Sequence, residues 1–290
     1  MCRWNAWFGQ PLVIDELLYQ TQHGLIDQSL HARMGVETTN GDGFGIGWYA
    51  ARDGASDPGR YRSVTPAWSD PNLRDIAKHI ESPLFLAHIR ATTGTPVQQT
   101  NCHPFRHKRW LFVHNGAING FHLMRRDLML AVDPQYFDDI RGSTDSETLF
   151  YLALTFGLQR DPVAAVEQAV GLVESTGHAH GVEYPVQMTL GVSNGEKLWG
   201  VRYSSEGKSR TLYASADADT VRALHPDNPR FARFTDEDRV IVSEPLSDLP
   251  GMWVEVPEST ALVVQPGPDE HLPFNPRHPT GTDTAPPDVL

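Results

Sequence analysis

The sequence predicts an α+β fold in which helices and strands form separate layers. Short apolar segments bounded by turn residues recur through the second half of the chain, as in antiparallel sheets. Segments with helical periodicity occur in pairs and do not alternate regularly with strands, which disfavours a parallel βαβ series. No G-x-G-x-x-G marks a strand-to-helix junction and no G-x-x-x-x-G-K-[ST] occurs, so nucleotide binding has no support.

The first half of the chain mixes both types of element. Residues 2–9 are predicted to form a short strand, and residues 11–19 a helix with Pro11 near its start. Residues 20–40 carry many polar side chains and no clear period, so we expect a loop there. The remaining predicted elements are strands at 43–50, 61–64, 83–92 and 109–118, and helices at 69–80, 120–131, 144–160 and 161–174.

The second half is predicted to be rich in strands. Asn194 and Gly195 lie between two of them and favour a tight hairpin turn. The predicted strands are 186–194, 197–203, 210–215, 239–244 and 260–265. From Gly267 onward the chain is rich in Pro, Asp, Thr and His. We therefore expect one domain over 1–265 and a tail over 266–290 that is poorly ordered or lies over the surface.

Composition restricts the partners of this 290-residue chain. Its formal net charge of −12 argues against a nucleic-acid partner and against binding to an anionic membrane. No apolar run is long enough to span a membrane, and the N-terminus lacks a secretory signal, so we expect a cytoplasmic protein with a small-molecule substrate. Cys2 and Cys102 form no metal-ligand or disulfide pattern, and the histidines share no spacing. We therefore expect no metal and no cofactor.

Cys2 directly follows the initiator Met1. Removal of Met1 would leave a thiol and an α-amino group on one residue, and the amine could act as general base for its own side chain. A thiolate is a strong nucleophile and needs less activation than a hydroxyl. The alternative is that Cys2 is a small apolar residue at the start of a strand.

Two further motifs contain groups suited to acyl transfer. In HNG, the Asn115 side-chain amide and the Gly116 N–H could stabilise an oxyanion; the alternative is an Asn-Gly hairpin turn. In HIRATTG, Arg90 could bind a substrate carboxylate; the alternative is a structural ion pair.

Two acidic or basic side chains complete the candidate site. In GSTDSE, Asp145 could receive an α-ammonium group, while Thr144 to Glu147 also has the form of a helix capping box. In NCHPF, His103 either lines the site or is a core histidine.

The order of these motifs resembles that of the class II glutamine amidotransferases. An N-terminal Cys is followed by NGDGFGIGWY, HIRATTG, NCHPF, HNG and TDSE. The small stand-alone members are the most similar, among them the fungal glutathione-degrading amidotransferase subunit and the ergothioneine-pathway γ-glutamyl hydrolase. The resemblance is close over residues 2–160 and weaker over 185–265. It implies the N-terminal-nucleophile hydrolase fold, a four-layer αββα sandwich of two antiparallel sheets.

The resemblance also implies roles. Cys2 is the nucleophile, Asn115 and Gly116 form the oxyanion hole, Arg90 with Thr93 holds the substrate α-carboxylate, and Asp145 holds the α-amino group. His103 is then expected near this pocket. Larger family members have Arg where this sequence has Asn40, which again matches the small branch.

The implied activity is hydrolysis of the γ-amide of glutamine or of a γ-glutamyl compound. Glutamate and ammonia or an amine are then the products. One alternative is a glutaminase subunit that delivers ammonia to a separate synthase or acts with a peptidase partner. A second is a catalytically silent amino-acid-binding protein.

Overall fold

The computed structural model describes residues 2–31, 39–50, 57–92, 94–229 and 231–278. The strands are β1 Arg3–Val13, β2 Phe44–Tyr49, β3 Gly59–Ser63, β4 Glu81–Ile89, β5 Phe105–His107, β6 Trp110–Ile118, β7 Val186–Ser193, β8 Leu198–Ser204, β9 Tyr213–Ser215, β10 Arg239–Val242, β11 Trp253–Glu255, β12 Thr260–Val264 and β13 Glu270–Pro273. The helices are α1 Ile14–Leu18, α2 Leu25–Leu30, α3 Pro71–His79, α4 Phe121–Leu130, α5 Pro134–Phe137, α6 Asp145–Thr155, α7 Pro162–Ala179 and α8 Ala218–Leu224. Within these ranges, no helix is long and apolar enough to cross a membrane.

The strands form two antiparallel sheets. One sheet has the order β11-β9-β10-β1-β4-β2-β3, and the other has the order β13-β12-β8-β7-β6-β5. Strand β1 lies centrally in the first sheet, paired antiparallel with β4 and β10. Strand β6 pairs with β7 in the second sheet. Cys2 directly precedes β1, and Asn115 and Gly116 lie within β6. Because both are interior strands, backbone pairing on two sides fixes the positions of these residues.

Three apolar clusters define four layers. The cluster between the sheets includes Trp4, Leu86 and Val113 from β1, β4 and β6. A second cluster packs the outer face of the first sheet against helices and includes Leu73 of α3. A third packs the other sheet against α4, α6 and α7 and includes Phe150. The layers are therefore helix, sheet, sheet and helix, which confirms the predicted αββα sandwich.

Several predicted boundaries were wrong. Strand β1 continues through Pro11 to Val13 after a register shift between Phe8 and Leu12, so the following helix begins only at Ile14. Part of the predicted loop at 20–40 is helix α2. Proline is tolerated at this irregularity because the ladder is interrupted there.

The described part of the predicted tail, residues 266–278, contains one regular element. Strand β13 pairs with β12 at the edge of its sheet, and Phe274 is buried. The backbone N–H of Arg277 donates a hydrogen bond to the Glu167 carbonyl of α7. Residues 279–290 lie outside the described residues, so the limit of the domain at 265 stays a prediction.

Candidate active site

A cavity of about 460 Å³ contains most of the predicted site residues. Cys2, Arg90, His103, Gly116 and Asp145 line it together, although they are spread over more than 140 positions of sequence. Asn115 is buried in β6 directly before Gly116. Predicted residue Thr93 lies outside the described residues. The fold therefore brings together groups that the sequence separates widely.

Cys2 is positioned by the pairing of β1 with β4. Arg3 pairs with Ile89, which places Cys2 beside the residues that follow β4. The Cys2 Sγ lies 3.4 Å from both the backbone N and the carbonyl oxygen of Ala91. Burial raises the pKa of the Cys2 thiol, while the Ala91 N–H and the charge of Arg90 act in the opposite direction. The thiol is therefore protonated at neutral pH and needs a base to become a nucleophile.

Asn115 and Gly116 lie within strand β6, so the alternative of an Asn-Gly hairpin turn is wrong. They pair with Thr189 and Met188 of β7. A Cβ atom at Gly116 would collide with the carbonyl oxygen of Gln187 and would lie 2.6 Å from the His114 Nε2. Only glycine fits this point of the strand, because protein atoms occupy the space of a side chain. Gly116 also lines the cavity.

Arg90 is buried without a carboxylate partner. Its guanidinium donates hydrogen bonds to the hydroxyl oxygens of Thr92 and Thr95, at 3.1 and 2.6 Å. Further acceptors are the carbonyl oxygens of Asp42, Thr95 and Pro96. Among the described residues, no ion pair includes Arg90, so no structural ion pair of this residue is found there. A buried cation surrounded by neutral oxygens is suited to bind a substrate carboxylate.

The loop before β2 helps to position Arg90. The Asp42 N–H donates to the Arg90 carbonyl oxygen at 3.1 Å, and the Arg90 N–H donates to the Gly43 carbonyl oxygen at 2.8 Å. Asn40 is fully buried, and its side-chain amide donates to the carbonyl oxygen of Gln28 in α2. Asn40 therefore anchors this loop to α2.

Asp145 is the first residue of α6. Its Oδ2 accepts a hydrogen bond from the Ile118 N–H at 2.8 Å, and its Oδ1 accepts one from the Ser146 N–H at 2.8 Å. The partial positive charge at a helix N-terminus further favours an anion here. The carboxylate is thus held at the cavity by neutral donors and could accept an ammonium group.

Half of the predicted capping box is present. The Thr144 hydroxyl oxygen accepts a hydrogen bond from the Glu147 N–H at 3.2 Å, as predicted. The Glu147 carboxylate instead accepts hydrogen bonds from the backbone N–H groups of Arg141 and Gly142. Glu147 therefore fixes the loop before α6 rather than the cap residue itself.

His103 both lines the cavity and packs in the core. Its ring lies 4.1 Å from the His88 ring and 4.4 Å from the Phe105 ring, between centroids. Neither ring nitrogen has a hydrogen-bond partner within the described chain. Burial lowers the pKa of His103 well below its ordinary value, and the other buried histidines and Arg90 act in the same direction. His103 is therefore a neutral imidazole that lines the same cavity as Arg90.

Sequence reasoning missed three polar residues near the cavity: His88, His114 and Ser146. The His88 Nε2 donates to the His114 carbonyl oxygen at 3.1 Å, which links β4 of one sheet to β6 of the other. The His114 Nδ1 lies 2.7 Å from the Ser146 hydroxyl oxygen. The signal for them was present, since they belong to the HIRATTG, HNG and TDSE motifs, but no role had been assigned to these positions.

The match to a family model covers most of the chain. The model of the class II glutamine amidotransferases matches residues 20–280. The solved structure of a glutamine aminotransferase class-II domain protein from Silicibacter pomeroyi has a TM-score of 0.71 and 32% identity, covering 95% of this chain and 100% of that one. Glutamine phosphoribosylpyrophosphate amidotransferase from B. subtilis, 14% identical with a TM-score of 0.61, covers 96% of this chain and 50% of that chain and shares the fold.

Two relatives agree with this match. The probable glutamine amidotransferase DUG3 of Saccharomyces cerevisiae is 30% identical over 293 residues, which cover 91% of this chain and 82% of the yeast protein. The γ-glutamyl-hercynylcysteine sulfoxide hydrolase of Mycolicibacterium smegmatis is 26% identical over 281 residues, covering 95% of this chain and all of the relative. Together with the two-sheet fold and the shared cavity, these matches show that the chain belongs to the class II glutamine amidotransferase family of enzymes.

Proposed function

We propose that this protein hydrolyses the γ-amide of glutamine or of a γ-glutamyl compound through a γ-glutamyl thioester on Cys2. The observation that carries the proposal is the single cavity lined by Cys2, Arg90, Gly116 and Asp145. The thiol lies in the same cavity as one cationic and one anionic side chain. These two charges match the α-carboxylate and the α-ammonium of an amino acid.

The first step forms the thioester. After removal of Met1, the Cys2 α-amine takes the proton of its own thiol, and the sulfur attacks the γ-carbonyl carbon. The Asn115 side-chain amide and the Gly116 N–H stabilise the oxyanion. When the C–N bond breaks, the Cys2 ammonium returns the proton to the leaving nitrogen, which departs as ammonia or an amine.

The second step restores the enzyme. Water attacks the thioester carbonyl carbon while the Cys2 α-amine accepts a proton from the water. The C–S bond then breaks, the sulfur recovers the proton, and glutamate leaves. No metal or redox cofactor takes part in this balance.

Recognition of the glutamyl half rests on charge. Arg90 binds the α-carboxylate with help from Thr93 and from neutral His103, and Asp145 binds the α-ammonium. A ligand that lacks either group leaves a charged side chain without its partner and binds weakly. The cavity of about 460 Å³ lies in the size range of drug-like ligands, so it has room for a leaving group larger than ammonia.

The first test is the intact mass of the purified protein before and after exposure to 6-diazo-5-oxo-norleucine. We expect Met1 to be absent and one adduct to map to Cys2. Cys102 serves as an internal control because it is fully buried and outside the cavity lining. Absence of an adduct on protein that lacks Met1 would contradict the proposed chemistry and would favour the silent binding protein. A Cys2→Ala variant should form no adduct.

The second test fixes the leaving group. Purified protein is given glutamine, γ-glutamyl dipeptides, glutathione and γ-glutamyl sulfoxides, and glutamate release is measured. Turnover of the purified chain alone supports a stand-alone hydrolase.

A glutaminase subunit is the second candidate function. One observation favours it: α4, whose first residues line the cavity, exposes Leu123 and Leu130 at 50% and 67%. The two leucines are seven positions apart and therefore share one face of α4, and an exposed apolar helix face is typical of protein contacts. Adduct formation on Cys2 without turnover of any free substrate would select this candidate.

A further inference from the structure

Two motif residues near the cavity have no part in the mechanism above. His114 precedes the oxyanion pair, and Ser146 follows the ammonium-binding Asp145. They lie on different elements, β6 and α6, yet the His114 Nδ1 and the Ser146 Oγ are 2.7 Å apart. Both side chains are buried, with 2% and 5% exposure. Their contact joins the two motifs that hold the oxyanion and the ammonium.

The hydrogen-bond pattern fixes the direction of the protons. The Ser146 Oγ lies 3.2 Å from the Asp145 Oδ1, and since a carboxylate can only accept, the hydroxyl donates to it. The Ser146 oxygen is then free to accept from the His114 Nδ1–H. His114 is accordingly the tautomer with its proton on Nδ1. The chain of donors runs from His114 through Ser146 to Asp145.

The Nε2 side of the His114 ring packs against Gly116 of β6. Its Nε2 is buried and has no hydrogen-bond partner within the described residues. A Cβ atom at Gly116 would lie only 2.6 Å from this nitrogen, so the ring packs directly against the glycine backbone. Burial lowers the pKa of His114, although Asp145 opposes this, and the ring stays neutral. One uncharged side chain therefore contacts Gly116 and connects to Asp145.

We infer that His114 and Ser146 are positioning residues that orient the Asp145 carboxylate toward the α-ammonium of the ligand. This inference rests on the role proposed for Asp145. We call the two consecutive hydrogen bonds from His114 to Ser146 and from Ser146 to Asp145 the relay. Consecutive hydrogen bonds polarise one another, so the relay strengthens the hydrogen bond from the Ser146 hydroxyl to Asp145 Oδ1. The Ile118 N–H holds Oδ2 from the other side, at 2.8 Å. Loss of the Ser146 hydroxyl removes one of the two donors to Oδ1 and leaves the two backbone N–H donors in place. The carboxylate is then held less firmly toward the ammonium, while the Arg90 half of the cavity is unchanged.

The test compares two ligands that differ only in the α-ammonium group. Calorimetry gives the dissociation constants of L-glutamate and of glutarate, which lacks that group. We expect Ser146→Ala to reduce the preference for L-glutamate about tenfold, the effect of weakening one hydrogen bond to a charged group. His114→Leu should act alike. His114→Asn, whose amide N–H can replace the Nδ1–H, should keep most of the preference.

A matched control is Thr148→Ala. Thr148 is a second buried hydroxyl residue of α6, and its Oγ1 donates to the Thr144 carbonyl outside the relay. This variant should keep the wild-type preference. Weaker binding of both ligands by the same factor in Ser146→Ala would mean a structural role and would overturn the inference.

The same experiment separates this inference from the proposed function. A wild-type preference for L-glutamate that Ser146→Ala leaves intact contradicts the relay alone. A preference that falls in Ser146→Ala, in a protein that turns over no γ-glutamyl substrate, supports the relay and contradicts the proposed hydrolysis. A wild type with no preference contradicts the relay and the role of Asp145 together.

Discussion

Two buried arginines lie close together at the ends of β1 and β4, and their surroundings differ. Arg3 and Arg90 are each only 3% exposed. The Arg3 guanidinium contacts the Glu244 carboxylate at 2.6 Å and donates to the Cys2 carbonyl oxygen at 3.0 Å. The Arg90 guanidinium contacts only hydroxyl and carbonyl oxygens within the described chain. The positive charge of Arg3 is thus balanced by a carboxylate of the protein. The Arg90 guanidinium contacts only uncharged polar groups among the described residues.

These different surroundings leave the two arginines with different capacities to bind a charged ligand. A buried ion pair is neutral as a unit, and breaking it leaves one charge uncompensated. A buried cation held by dipoles keeps its charge available for a ligand. Asp145 resembles Arg90 in that neutral groups surround its charge, which is negative. Two backbone N–H groups and one hydroxyl donate hydrogen bonds to its carboxylate. The proposed recognition site therefore combines two charged side chains whose hydrogen bonds, among the described residues, go to neutral groups.

The largest expected effect is loss of activity in Arg90→Met. Removing the cation leaves the substrate carboxylate without its partner, so kcat/KM for a γ-glutamyl substrate should fall about a thousandfold, or about 4 kcal/mol. The free energy of unfolding should change little or increase, because an uncompensated buried charge is removed. Steady-state kinetics and urea denaturation measure the two quantities. A variant that loses stability and keeps its activity would reverse the assignment of the two arginines.

The opposite pattern is expected for the Arg3 pair. Arg3→Met should lower the free energy of unfolding by about 3 kcal/mol, because it removes one member of a buried ion pair. The double variant Arg3→Met with Glu244→Met should recover most of that loss, which urea denaturation of the three proteins would show. Equal destabilisation by the single and double variants would mean that the charges are not coupled.

The sequence pointed to candidate groups that line one cavity, but it did not point to the residues that support them. Cys2, Arg90 and Asp145 could be identified because each belongs to a short motif with its own chemistry. Arg3 and Glu244 are 241 positions apart and belong to no joint pattern, so only the pairing of β1 with β10 shows that they meet. Contacts made through sheet pairing have no local signal in the chain.

The same reasoning explains why one alternative reading and one predicted boundary were wrong. Asn115-Gly116 has the local preference of a hairpin turn, but pairing with β7 keeps it extended. Pro11 has the preference of a helix start, but β1 continues past it through an irregular register. In both places tertiary pairing overrides a local preference.

Asp145→Asn tests the anionic half of the comparison. The amide keeps the shape and loses the charge, so KM for glutamine should rise about thirtyfold, near 2 kcal/mol, while kcat falls less. Glutaramate, which lacks the α-amino group, should show almost no change. Asp161→Asn is the matched control, since Asp161 caps α7 away from the cavity. Equal losses for glutamine and glutaramate would show that Asp145 has no specific contact with the ammonium.

The smallest expected effect concerns the two buried neutral histidines, His88 and His103. Burial lowers the pKa of His88 to about 3 and lowers that of His103 well below its ordinary value. The unfolded chain binds protons at these residues below pH 6.5, whereas the folded chain does not. The stability is therefore complete above pH 6.5 and is lost as the pH falls from 6.5 toward the folded-state values.

His103→Phe isolates one of these contributions. Both nitrogens of His103 lack partners within the described residues, so a phenyl ring can take its place against Phe105 without breaking a hydrogen bond. Between pH 6.5 and 5.5, the variant should lose less stability than the wild type, by up to about 1.4 kcal/mol. Urea denaturation at several pH values measures the two slopes, with exposed His31→Gln as control. Parallel slopes would mean that His103 takes up a proton in the folded protein, and the neutral imidazole beside Arg90 would have to be abandoned.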